Sequence, residues 1–96
     1  DRCFPVSIDF DLGKIVVTQG IIKILDFLPL KLLKPFVARH KGGDWGHVCI
    51  QDKQQNDHAT RYGGRILSSY KFCEQSIWII TEADRSVTTI LLPSEY

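Results

Sequence analysis

Apolar and polar residues change period twice along this chain. Over residues 20–28, Ile21, Ile22, Leu25 and Leu28 recur at helical spacing and predict a helix of about two turns. From Pro29 the stripe restarts, with Leu32, Leu33, Phe36 and Val37 on a buried face and Lys31, Lys34, Arg39 and Lys41 mainly on the other. Pro29 suits a first helical turn, whereas Pro35 inside the stripe must kink or divide the helix. Gly42 and Gly43 end it. The polar tract that follows, Ile50–Tyr62, has few inward candidates (Val48, Ile50, Ala59 and Tyr62) and predicts a surface helix closed by Gly63 and Gly64. Beyond it the segments RILSSYKF (65–72), IWIIT (77–81) and VTTILL (87–92) carry the β-branched and aromatic residues of strands. The polar insert EADRS (82–86) has the length of a hairpin loop. Upstream, KIVVT (14–18) predicts one more strand, and residues 1–13, broken by Pro5 and Gly13, a loosely structured lead-in.

One strand, two or three helices and three consecutive strands describe an α+β fold. The helices are expected on one face of a small antiparallel sheet of three or four strands. Ninety-six residues bound the chain to a single domain, residues 1–96, and 44% hydrophobic with 24% charged residues argues against disorder. A net charge of +1 lacks the basic excess of a general nucleic-acid binder, so nucleic acid is not favoured as a partner. The distribution is less even than the total. Residues 14–41 hold six bases (Lys14, Lys23, Lys31, Lys34, Arg39, Lys41) against one acid, Asp26, which reads first as the solvated side of an amphipathic helix. Cys3, Cys49 and Cys73 form no CxxC pair and no signal-peptide pattern precedes them, so reduced thiols and a cytoplasmic location are expected. No apolar run nears the ~20 residues that span a bilayer, so no membrane partner is expected.

Three constellations carry candidate chemistry. His40, Asp44, His47 and Cys49, with Asp52 close by, offer metal donors, but their spacing fits no established metal pattern. No metal and no cofactor is expected, and His40 is read as capping a helix C-terminus. Asp44 beside Trp45 pairs a directed acceptor with a stacking surface, against the plain alternative of a core plug and a pinned turn. Glu82, Asp84 and Arg85 place two carboxylates and a guanidinium at one end of a sheet, where they form either a site or a self-satisfied loop. Asp52, Asn56 and Arg65 are candidates to converge with them. Ser68, Ser69 and Ser86 exist beside His40, His47 and His58, yet neither GxSxG nor GxxxxGK[ST] occurs. The strand aromatics Tyr70, Phe72 and Trp78 are read as core packing before any base-stacking platform.

Several tracts carry a resemblance: IVVTQG (15–20), ARHKGGDWG (38–46), the spaced Asp52 and Asn56, GRILSSY (64–70) and IWIITEADRSVTTILLPSEY (77–96). In these the chain resembles a group of small uncharacterised bacterial proteins found on plasmids, integrative elements and other mobile DNA. The likeness covers about four-fifths of the sequence. It departs at His47, where the group usually has an acid, and at Asp57-His58-Ala59-Thr60, where it usually has an alanine-rich helix. The resemblance implies a mobile-element or gene-cassette accessory protein, without a chemistry. The leading functional expectation is a small binding or protein-interaction module for an unknown small ligand or protein. Its polar face would comprise Asp44, Trp45, His47, Asp52, Asn56, Arg65, Glu82, Asp84 and Arg85. The alternatives are a small hydrolase using Asp, Glu or His, and a nucleic-acid-binding accessory protein. Pairing of β-rich edges across a two-fold axis makes a homodimer an open expectation.

Overall fold

Residues 12–25, 28–72 and 74–96 are described by the computed structural model. Most of the lead-in, with Cys3 and Cys73, lies outside them. Strand β1 (Lys14–Val17) runs into helix α1 (Gln19–Leu25), and a 3-10 turn (Leu30–Leu33) then leads directly into α2 (Lys34–Lys41). Helix α3 (Ile50–Tyr62) is followed by β2 (Ile66–Phe72), β3 (Gln75–Thr81), β4 (Val87–Leu91) and a closing 3-10 turn (Pro93–Glu95). Pro35 divides the second helical stripe by standing in the first turn of α2, where its missing N–H costs nothing.

The fold is α+β, and among the described residues three α-helices lie against one sheet in the order β1-β4-β3-β2. One expectation is corrected. The sheet is mixed rather than antiparallel: β2, β3 and β4 form an antiparallel meander, but β1 lies parallel to β4, Lys14 opposite Val87 and Val17 opposite Ile90. The helices between β1 and the meander supply the crossover that a parallel pair requires.

Cross-strand register puts Ile66, Ser68 and Tyr70 of β2, Ile77, Ile79 and Thr81 of β3, Thr88 and Ile90 of β4, and Ile15 and Val17 of β1 on one face. Against that face pack Ile21 and Leu25 of α1, Leu33, and the half-buried Phe36 and Val37 of α2. A smaller cluster of Trp45, Ala59 and Ile66 seats α3 beside β2. Leu32, expected inside, is instead 38% exposed. The 3-10 turn advances more per residue than an α-helix, so the stripe changes phase where Lys34 begins α2. Among the described residues no helix is long and apolar enough to cross a membrane.

The outer edge of β2 is closed by side chain and loop. Asn56 acts as a surrogate peptide, its Nδ2 donating to the Leu67 carbonyl (2.6 Å) while its Oδ1 accepts from the Leu67 N–H (3.2 Å). Two residues on, the Ser69 N–H donates to the Trp45 carbonyl (3.1 Å) and the Ser69 carbonyl accepts from the His47 N–H (2.7 Å). An open strand edge invites pairing with other chains, and here the outward groups of Leu67 and Ser69 are already occupied. Gly46 makes this possible. It holds φ +73, and a Cβ there would collide with the Ser69 carbonyl oxygen and the Tyr70 ring. Gly46→Ala is expected to lower the unfolding free energy by roughly 2 kcal/mol or more in urea melts, combining left-handed strain with a lost close approach.

Candidate functional site

Most of the residues expected to form a polar binding face are engaged separately within the fold. Asp44 accepts from Arg39 through both carboxylate oxygens (2.7 and 3.4 Å) and from the Gly46 N–H (3.2 Å). The hydrogen bond from Arg39 is the main reason its pKa falls below the ordinary carboxylate value. The Arg39 guanidinium also lies over the Tyr70 ring, 4.6 Å from its centroid, and the Tyr70 hydroxyl donates to the Asp44 carbonyl (2.6 Å). Trp45 is buried at 4% exposure, with its indole N–H on Asp57 Oδ1 (2.9 Å). It plugs the α3–β2 seam. Asn56 is buried on the β2 edge, as described, while His47 and Asp52 are exposed.

At the other end of β2 the loop residues form a second group. Arg65 bridges Glu82 Oε1 (3.5 Å) and the Tyr96 hydroxyl (2.5 Å). Asp84 Oδ1 accepts from the Ser86 N–H (3.0 Å) and hydroxyl (2.6 Å). Arg85 occupies the left-handed region at φ 62, a position in hairpin loops that favours glycine. Its guanidinium donates to the carbonyls of Gly64 (2.6 Å), Ala59 (2.7 Å) and Glu82 (3.1 Å). The Ala59 carbonyl near the end of α3, which also accepts from the Gly63 N–H (2.9 Å), is thereby tied to the β3–β4 loop. Asp44 is tied to Tyr70 and the Arg85 group lies beyond Ile66. Four residues of strand, about 13 Å, separate them. The structure brings Arg65 to Glu82 but does not bring Asp44 to either.

His40 is the residue whose role the sequence hides. Its side chain leaves the inner face of α2 and is fully buried, so it does not cap the helix end. Nδ1 lies 2.5 Å from Ser68 Oγ and Nε2 2.9 Å from Thr81 Oγ1. Thr81 Oγ1 in turn meets Thr88 Oγ1 (2.8 Å), and Thr88 donates to the Leu12 carbonyl (2.6 Å). That last acceptor fixes every proton before it. Thr88 spends its hydrogen on Leu12, so Thr81 donates to Thr88 and must accept from His40 Nε2–H. Nδ1 therefore carries no proton and accepts from Ser68. Burial first, and the Arg85 charge second, push the His40 pKa down to about 4. A serine–histidine contact invites a nucleophilic reading. However, Ser68 and His40 are both sealed from solvent, and Thr81 stands where a catalytic triad has a carboxylate. Among the described residues no three His, Cys, Asp or Glu side chains group to hold a metal ion, and Cys49 is a free, exposed thiol.

A concave surface does exist, away from the polar clusters. Ile15 and Val17 of β1 and Ile90 of β4 floor a groove of about 490 Å³. Leu30, Leu33, Lys34, Val37, Ala38 and Lys41 form its wall. α2 leans toward β2 through Phe36, whose ring meets Tyr70 (5.6 Å) and Phe72 (5.8 Å), and so leaves the β1 side uncovered by the described residues. The signal available in sequence was the recurrence of Leu30, Lys34, Val37 and Lys41 at helical spacing, masked because lysines read as solvated.

Comparison of the chain with protein-family models, with curated proteins and with solved structures finds no match.

Two measurements test the structural assignments. Arg85→Met is expected to cost about 2–3 kcal/mol in chemical denaturation by removing the charged hydrogen bonds to the Ala59, Gly64 and Glu82 carbonyls. For His40 the folded value lies below the unfolded 6.5, so the unfolded chain binds the extra proton between pH 6.5 and 4. Stability is therefore complete above pH 6.5 and declines by roughly 3 kcal/mol as pH falls to about 4. His40→Gln should flatten that part of the profile, and nitrogen-15 NMR of the wild type should show the Nε2–H tautomer at pH 6.

Proposed function

We propose that this chain is a small binding module without catalysis of its own, which takes the apolar part of a ligand into the groove between β1 and α2. One observation carries the reading. Among the described residues a groove of about 490 Å³ with largely aliphatic walls lies open, while Asp44, Asn56, Arg65, Glu82, Asp84 and Arg85 are engaged within the fold. Cavities of this size and lining are the usual form of small-molecule sites. Ile15 and Leu30 remain 47% and 55% exposed at its mouth, a hydrophobic cost that a bound ligand relieves.

The hydrolase alternative gains nothing from the sealed Ser68–His40 pair. The strand aromatics give the nucleic-acid alternative little support, since Tyr70 is buried and Trp78 packs edge-on to Tyr96 (5.6 Å). The setting we infer is the cytoplasm, as an accessory product of mobile DNA, which the resemblance of the GDWG and IWIITEADRS tracts implies.

A neutral fluorescent probe, N-phenyl-1-naphthylamine, reports on the groove. Its emission is expected to rise on binding, and Ala38→Phe, which fills an exposed position on the groove wall, should weaken it by at least about tenfold. Thermal stability should shift little, as for other exposed helix substitutions, within about 0.5 kcal/mol. Absence of enhancement, or a variant that binds as well as wild type, rejects the reading.

A further inference from the structure

The two edges of the sheet are not alike. On β2 the outward groups of Leu67 and Ser69 are taken by Asn56, Trp45 and His47. On β1 the ladder with β4 fixes which groups point away. The Lys14 N–H donates to the Ser86 carbonyl and the Thr18 N–H to the Ile90 carbonyl (both 3.1 Å), so in parallel pairing Lys14, Val16 and Thr18 face β4. Ile15 and Val17 therefore turn their N–H and C=O groups outward, and among the described residues no group bonds them. β1 has neither a proline nor a bulge, two of the usual guards of an open edge. The side chains of the same two residues floor the groove. An open ladder beside an open apolar floor calls for another strand.

Which strand fits is decided by charge. Two copies of β1 placed antiparallel about a two-fold axis set Ile15 of each opposite Val17 of the other, as hydrogen-bonded pairs. Val16 then meets its own counterpart, and Lys14 lies opposite Thr18 of the second copy. Lys14, Val16 and Thr18 alternate onto the sheet face away from the helices. The Thr18 hydroxyl donates to Glu95 (2.5 Å), so the Glu95 carboxylate stands beside the position that Lys14 reaches. Lys14 is exposed, and its ammonium makes no ion pair among the described residues. Opposite charges on facing positions stabilise a strand pair, and the two-fold repeats this match at both ends.

The helical layers do not collide in this arrangement. His40 of α2 reaches Thr81 of β3, two strands in from β1, and the copies meet edge to edge. The two α2 helices thus stand five strand spacings apart there, about 24 Å, and their lysines do not oppose one another. Between them Ile15 and Val17 of the second copy carry the aliphatic floor past the open side of each groove.

We propose that the chain forms a two-fold dimer through antiparallel pairing of β1 with β1, Lys14 of each copy beside Glu95 of the other, and that each groove is completed by the second copy. The dimer stands or falls without any ligand, so its test is separate from that of the groove.

Sedimentation equilibrium from about 5 to 500 µM is expected to show monomer and dimer exchanging. Over the same range amide hydrogen exchange at Ile15 and Val17 should slow, while that at Leu67 and Ser69 stays slow throughout. Ile15→Pro removes an outward N–H and leaves the bonds to β4, a change that edge strands tolerate, and it should hold the chain monomeric. Lys14→Glu sets an acid against Glu95 and should weaken association at least about tenfold. It alters an exposed side chain, so it decides the matter should Ile15→Pro fail to fold. Lys71→Glu, on the β2 edge, should leave association unchanged. A monomer at every concentration overturns the proposal. So does a dimer that Lys14→Glu leaves intact, or one that Lys71→Glu weakens instead.

Discussion

A neutral imidazole joins the helical layer to the sheet where apolar packing gives way to hydrogen bonding. Through His40, α2 is bonded to Ser68 of β2 and Thr81 of β3; through Thr81 and Thr88 the same line of bonds reaches β4 and the segment entering β1. Every member donates once in the same direction, so the line exists only while the ring carries a single proton. A second proton would turn Nδ1 from acceptor to donor and oblige Ser68 to reverse. The network also sets the rotation of α2. With His40 turned inward and Phe36 on Tyr70, the flank bearing Lys34, Val37, Ala38 and Lys41 is left facing β1. The open groove thus follows from how a buried polar group is satisfied.

Elsewhere the polar residues serve the backbone. Asn56 stands in for a missing strand and Glu95 for a missing cap, while Arg85 ties the end of α3 to the β3–β4 loop. Glu95 accepts from the Gly20 N–H (2.9 Å) and the Thr18 hydroxyl (2.5 Å) at the start of α1 and from the Leu92 N–H (3.0 Å) in its own turn. A small domain has little apolar surface to spend, and unsatisfied backbone groups at its edges would cost as much as the core gains. The left-handed Arg85 illustrates the balance. Its conformation is strained, and three carbonyl acceptors hold it there.

Much of the fold was legible in sequence because period and punctuation agree. The bounds Ile50–Tyr62 follow from a polar helix stopped by two glycines, and the last hairpin from two β-prone runs around EADRS. Strand order was not legible. Nothing in KIVVT distinguishes a strand that lies parallel to β4 from one that extends the meander at its other end. The helical phase failed at Leu32 because a 3-10 turn is not visible in an apolar stripe. The candidate site carries a real ambiguity: Asp44, Glu82 and Arg85 have the chemistry of ligands, and the same chemistry ties turns. His40 could have been found from Ser68, Thr81 and Thr88, three hydroxyls at inward positions of otherwise apolar strands, which together require a polar partner from the opposite layer. The groove combines residues read as core, Leu33 and Val37, with Lys34 and Lys41, which were assigned to solvent.

The floor of that groove is shared by β1 and β4, whose neighbours Thr18 and Glu95 are 77 residues apart in the chain. Bringing such distant segments together carries a large loop-closure entropy, and contacts of this kind form late in folding. The meander β2–β3–β4 joins through short loops and has no such handicap. A concave surface therefore does not exist on partly folded forms of this protein. It appears in the step that docks β1, so an occupant of the groove would act as a clasp, drawing its binding energy from, and lending it to, the closure of the sheet.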